Sequence, residues 1–312
     1  MKEKKGALEI SFGWLFALIA GIVIIFLAIY FSSKLINSGQ ETVSAKTGKE
    51  IDALLNPLET SYETAQTTSI TIPTETRIHN ICDSAGNFGK QGIQLEQKSF
   101  NKWVKTDVNI FFENKYIFSD NETEGKTFYI FSKPFDFPFK IADLIYMTSS
   151  KKSYCFVDAP EEISQEIFNL NQSNLLIDNC AQNGIRICFN NENCDINVDL
   201  SSESVEKDGK IMYFAETGEG TSALMYAAIF SDKDAYECQI KRLMLRLEEI
   251  SLLYKDKGML IQKEGCDNNA GGSLDELSQL AGDLTSSSEL GIVKTEADAI
   301  TEINNAGDCL LW

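Results

Sequence analysis

Hydrophobic and polar positions follow three different rhythms along this chain of 312 residues. From Phe12 to Phe31 there is no alternation: 20 consecutive residues carry no charge and are mostly Ile, Leu, Val, Ala and Phe. At about 1.5 Å rise per residue, a helix of that length reaches about 30 Å, the thickness of a bilayer's hydrocarbon core. No other stretch of the sequence is long and apolar enough for that.

Between Thr67 and about Asp158 the rhythm shortens towards two, or runs apolar over a few residues, as strands do. Ser69–Ile72, Arg77–Ile81, Ile93–Leu95, Val108–Phe112 and Thr127–Phe131 are such segments, punctuated by Gly86, Gly89 and Gly92. Shorter strands are predicted over 184–189, 195–200 and 210–214. The third rhythm is helical. Ile51, Leu54, Leu55 and Leu58 fall on one face before Pro57 disturbs the helix. Glu161–Leu170 follows Pro160. Over Asp232–Lys257, Ile240, Leu243, Leu247, Ile250 and Tyr254 form one apolar stripe. Lys241, Arg242, Arg246, Glu248 and Glu249 lie mostly off it, and Gly258 is the expected stop. Ser273 with Glu276 has the form of a capping box for a further helix, and another is expected over 292–303. The expected fold class is α+β: one N-terminal transmembrane helix, a strand-rich body and a C-terminal helical segment. The expected divisions are a cytoplasmic tip and span over 1–34, a stalk and docking helix over 35–62, an exterior domain over 63–265 and the helical segment over 266–312.

Charge gives the span a direction. Lys2, Lys4 and Lys5 precede it, and Lys34 is the nearest cation beyond. Positive flanks stay in the cytoplasm, so the N-terminus is expected inside and the body outside the cell membrane. A cleaved secretory signal would have a shorter apolar region, about 7–15 residues, ending in a small-x-small site. This one ends in Ile29, Tyr30 and Phe31, so a retained span is expected. The formal charge is −18; residues 1–34 carry four lysines and two glutamates, which leaves −20 for the rest. Such a body repels phosphate backbones, so nucleic acid is not an expected partner.

All eight cysteines lie beyond the span, none in a C-x-x-C pair, which disfavours zinc knuckles and thioredoxin-like redox chemistry. An even number in an exported body reads as a disulfide framework. Cys188 with Cys194, flanking a turn between short strands, and Cys266 with Cys309, bracketing the C-terminal helices, are the expected local bridges.

Catalytic patterns are weak. The single histidine, His79, reads as a half-exposed structural residue, and one histidine excludes three-His zinc sites and H-E-x-x-H. Ser99–Lys102, Ser119–Asn121 and Lys46–Gly48 imitate the three penicillin-binding motifs, but the last precedes the others when it should follow them. Asp195, Asn197 and Asp199 alternate like the start of a calcium loop, with Leu200 where that loop needs glycine. No catalytic site, cofactor or metal is expected. Asn121 and Asn171 open glycosylation sequons. Phe135, Phe137 and Phe139, between Pro134 and Pro138, would share one face of an extended edge segment. They either cover the core or form an aromatic surface for a partner.

The N-terminus adds a resemblance. Gly6-Ala7-Leu8-Glu9, after lysines and directly before the apolar helix, resembles the start of archaeal type IV pilin-like proteins. In that family a peptidase cuts ahead of the helix and a glutamate at its start helps subunits assemble; Glu9 matches that glutamate. Lys4-Lys5 departs from the family's usual Gly-Gln at the cut. The resemblance covers about 30 residues, and the body resembles membrane-anchored archaeal surface proteins only in composition. It implies a pilin-like surface protein with structural or interaction roles, whose partners are the lipid bilayer and like subunits through the helix. A monomeric surface receptor or accessory envelope subunit is the alternative within that class. An exported hydrolase using carboxylates is the alternative outside it.

Overall fold

The computed structural model describes residues 12–55, 66–189, 194–215, 223–265 and 268–312. The chain divides into two compact units, residues 1–47 and 48–312.

The first unit is dominated by α1 (Phe12–Leu55), which is helical without interruption for 44 residues. Its stretch Phe12–Ser32 is long and apolar enough to cross a membrane, and none of it is buried within the protein. The predicted stalk is therefore helix as far as Leu55; residues 56–62 of it lie outside the described residues.

The second unit is α+β and holds two mixed six-stranded sheets. The first comprises β1 (Gln66–Asp83), β2 (Lys90–Ser99), β3 (Lys102–Phe112), β4 (Tyr116–Phe118), β5 (Glu122–Asp136) and β6 (Lys140–Ser149). Its order is β3-β2-β1-β5-β6-β4, antiparallel except for β4 beside β6. The separate segments 69–72 and 77–81 of the sequence reading are one long strand with an irregularity between Thr71 and Thr76. One face of this sheet carries Ile70, Ile72, Ile78, Ile93, Leu95, Phe112, Ile117, Phe128, Ile130, Ile145 and Met147. Every strand contributes to that cluster and no helix does. Apolar surface must be covered, and this cluster is built from the sheet's own strands.

The second sheet comprises β7 (Tyr154–Val157), β8 (Leu175–Ile177), β9 (Ile185–Cys188), β10 (Ile196–Asp199), β11 (Ser204–Lys207) and β12 (Lys210–Tyr213), ordered β12-β11-β10-β9-β7-β8. Strands β10, β9, β7 and β8 run parallel. α2 (Glu161–Leu170) makes the crossover from β7 to β8, burying Ile163, Ile167 and Leu170.

Between the sheets lies α3 (Ala223–Phe230), in which all eight residues are buried. A helix that is apolar all round has no face for water and must be central. Phe230 stands edge-on to Phe131, Tyr146 and Tyr154 and stacks with Tyr226. The larger core continues through α4 (Lys233–Lys263), α5 (Gly271–Asp283) and α6 (Leu290–Ala306). The C-terminal helices thus share the body's core. Two expectations about helix ends give way. Gly258 does not stop α4, which runs to Lys263 with that glycine buried against Leu311. Ser273 lies inside α5, whose N-cap is Ala270.

Among the described residues three disulfides are closed: Cys82–Cys238, Cys155–Cys180 and Cys188–Cys194. The last is the predicted local bridge, although it spans a connection between parallel strands. Cys309 is also disulfide-bonded; its expected partner, Cys266, lies outside the described residues.

Candidate functional site

Three regions of the second unit concentrate polar chemistry. The first is a buried seam between α4 and the end of the first sheet. Arg242 is fully buried. Its Nε donates to the carbonyl of Phe88 at 3.0 Å, Nη1 to Lys115 O and Gln239 Oε1 at 2.8 Å each, and Nη2 to Glu113 O at 3.0 Å. The guanidinium also lies 4.7 Å from the centre of the Tyr116 ring. Gln239 donates to Gln91 Oε1 and to Ile117 O, and Gln91 donates to Asn80 Oδ1. Burial lowers the Arg242 pKa, while Tyr116 and Asp83 pull the other way. Four hydrogen bonds to carbonyl oxygens make the charge tolerable, and the result is a clamp. Gly89 is required beside it: φ is +60°, and a Cβ there would sit 2.3 Å from Asp83 O and 2.9 Å from Arg242 Cγ. The helical pattern set Arg242 off the apolar stripe and so facing water; it faces the sheet. Binary patterning reads arginine as solvent-facing, and the one usable signal was Cys238, which fastens this turn of α4 to β1.

A shallow depression of about 380 Å³ adjoins the seam, lined by Asn114, Lys140, Ile141, Ala142, Asp143 and Arg246. Lys140 pairs with Asp143 at 3.1 Å. Arg246 Nε and the Tyr116 hydroxyl are both shut off from solvent; burial raises the Tyr116 pKa, and the neighbouring Arg246 and Arg242 charges oppose that. Burial raises the Asp136 pKa, Lys140 opposes that, and Asp143 adds to it.

The second region is an ionic lattice on the outer face of β1, β2 and β5. Arg77 reaches Glu122 at 2.8 Å, Glu124 at 3.2 Å and Glu96 at 3.4 Å, and its guanidinium lies 4.2 Å from the centre of the Trp103 ring. His79 Nε2 is 3.3 Å from Glu96. Lys151 joins Glu75 to Glu124, and Lys98 pairs with Glu75 at 2.8 Å. Hydrogen bonds from Lys151 and Lys98 hold Glu75 down at about 2. His79 is therefore a half-buried member of a salt lattice, as its sequence setting suggested.

The third is the two-residue turn between β2 and β3, where Phe100 and Asn101 both have positive φ, 47° and 61°. This is where Ser99–Lys102 falls: a hairpin tip, with no helix for a nucleophilic serine to open.

Other predicted residues have local roles. Phe135, Phe137 and Phe139 are all buried, Phe135 stacked on Phe137 and Phe139 against Tyr254 and Trp312. Of the two readings, cover for the core or a partner surface, the structure shows the first and corrects the second: the rings are buried against the core. Asp195 accepts from Arg186 N, Asn197 from Cys194 N, and Asp199 from Ser201 and Ser202. The calcium-like triplet thus spends its oxygens on its own backbone, and among the described residues no cluster of ligands suited to a metal forms. Ser119 donates to Asp120 O, while Asp120 pairs with Lys152 and Lys207 and links the two sheets. Asn121 and Asn171 are both exposed, Asn171 in the left-handed position that ends α2. Thr123, the third residue of the first sequon, is buried. Glu9 lies outside the described residues.

No family model, curated protein or solved structure matches this chain.

Proposed function

We propose that this is a membrane-anchored cell-surface protein with a structural or interaction role, its N-terminus cytoplasmic and its disulfide-bonded body outside. The single observation that carries the reading is the helix stretch Phe12–Ser32, apolar and wholly unburied within the protein. Side chains such as Phe12, Trp14, Phe16 and Phe26 are left for another environment, either lipid tails or the same helix of neighbouring subunits. The disulfides support an oxidising compartment for the body.

The finer proposal is pilin-like assembly through Glu9. In a lone anchor that carboxylate sits in hydrated headgroups and matters little. In a bundle of such helices it leaves water and needs a cation, since an unpaired buried charge costs several kcal/mol. Glu9→Gln should then abolish large assemblies while the body keeps its fold and disulfides, as read by native electron microscopy and non-reducing mass spectrometry. Monomers in both wild type and variant, with an unprocessed terminus, would leave the anchored receptor in its place.

A further inference from the structure

We propose that the β2–β3 hairpin tip is a second membrane contact, one that docks on an anionic lipid surface with Phe100 as the inserted side chain. Phe100 is 83% exposed, more than any other large hydrophobic residue of the second unit among the described residues. Its backbone is left-handed, with φ of 47°. A two-residue hairpin turn of this type is normally Asn-Gly or Asp-Gly. A phenylalanine in the left-handed region is disfavoured roughly tenfold. Among the described residues nothing compensates: Phe100 belongs to neither core cluster and makes no ring contact. A strained backbone and a hydrated ring together point to a partner outside the fold.

The charge around the tip indicates which partner. Residues 98–105 contain Lys98, Lys102 and Lys105 and no acid, in a chain of net charge −18. Lys102, Lys105 and Lys126 are exposed and form no ion pair among the described residues. Val104, also exposed, shares the tip. Lysines on an edge strand also guard against strand pairing, which accounts for Lys102 and Lys105 on β3. It does not account for Phe100 at the turn. Beside the ring is an open cleft of about 640 Å³ lined by Pro73, Thr74, Glu75, Lys98, Asn101 and Lys126. Lys98 is already paired with Glu75, which leaves Lys126 to meet a headgroup phosphate there. An exposed aromatic with the unpaired Lys102 and Lys126 beside it is complementary to anionic headgroups over acyl chains, each lysine contributing about fivefold in occupancy. If the apolar helix holds the chain on a bilayer, docking becomes intramolecular and needs only weak affinity.

The test uses the full chain reconstituted in two kinds of vesicle, pure phosphatidylcholine and an equal mixture with phosphatidylglycerol. Amide exchange of a peptide spanning 98–105 should slow roughly tenfold in the anionic vesicles alone, and the slowing should vanish in high salt. Lys102→Glu with Lys105→Glu should abolish it. Phe100→Gly should abolish it too, yet leave the melting temperature unchanged or higher, because glycine suits the turn. Equal exchange in both vesicles, retained protection in Phe100→Gly, or a fall in its melting temperature would overturn the proposal. Alkaline extraction of the same vesicles reports on the apolar helix separately. A chain that resists alkali without tip protection sinks the tip alone; release by alkali with tip protection sinks the anchor alone.

Discussion

The two sheets of the second unit reach stability by different routes. The first has strands of up to 18 residues and an apolar cluster drawn from all six of them. The second has strands of three or four residues, too short to make much of a ladder. Its buried side chains belong to the larger core it shares with the helices, and two covalent links lie within it: Cys155–Cys180 joins β7 to the residues just beyond β8, and Cys188–Cys194 spans the connection from β9 to β10, whereas Cys82–Cys238 ties the first sheet to α4. Long strands bring their own hydrogen bonds and burial. Short parallel strands close loops in the chain, and cross-links remove much of that entropic cost from the unfolded state. The first sheet also has one polar dependency, the Arg242 clamp at its end.

Three variants sharpen the contrast. Arg242→Met should have the largest effect, about 4 kcal/mol, since the Lys115 carbonyl and the Gln239 amide oxygen lose their donor while staying buried, and the part-buried carbonyls of Phe88 and Glu113 lose theirs too. Chemical denaturation measures it, and amide exchange should rise first in β1, β2 and β4. A loss below 1 kcal/mol would mean that the sheet needs no clamp. Cys155→Ser with Cys180→Ser should cost about 3 kcal/mol. Here the faster exchange should fall in β7, β8 and α2 and spare the first sheet; a uniform loss would show that the two sheets unfold as one.

Asp120→Asn tests the joint between the sheets, at about 2 kcal/mol after allowance for the half-exposed Lys152. Burial pushes the Asp120 pKa up, but attraction to Lys207 and a hydrogen bond from Lys152 outweigh it, and the net shift is below the ordinary 3.8. A carboxyl depressed by folding contributes stability above its unfolded pKa and loses it as pH falls through the folded one. The difference between wild type and Asp120→Asn should therefore be full near neutral pH and shrink below about pH 4. Parallel pH curves would remove Asp120 from the account.

The contrast also explains what was legible in the sequence. Four strands of the first sheet, β1, β2, β3 and β5, announced themselves by alternating or apolar positions, as at Arg77–Ile81 and Val108–Phe112, while β4 and the almost wholly buried β6 were not named. The helices Glu161–Leu170 and Asp232–Lys257 showed a clear stripe, though α4 runs on past Gly258 because a buried glycine packed on Leu311 has tertiary reasons to stay helical. β8 and β11 were missed: three or four residues hold too few alternations to distinguish a strand from a loop. Cys188–Cys194 was readable from six residues of separation, whereas Cys82–Cys238, separated by 156, depends on the fold. The Arg242 seam was hidden for a related reason. A one-dimensional pattern sorts residues by polarity, and a buried cation held by four hydrogen bonds breaks that rule only in three dimensions.

The most direct test of the membrane-anchored reading is the intact mass of the native protein recovered after alkaline washing of its membranes. The account predicts a non-reduced chain that retains residues 12–32 and stays with the membrane. A mature chain beginning beyond residue 32 and released into the soluble fraction would contradict it and make Phe12–Ser32 a removed export signal.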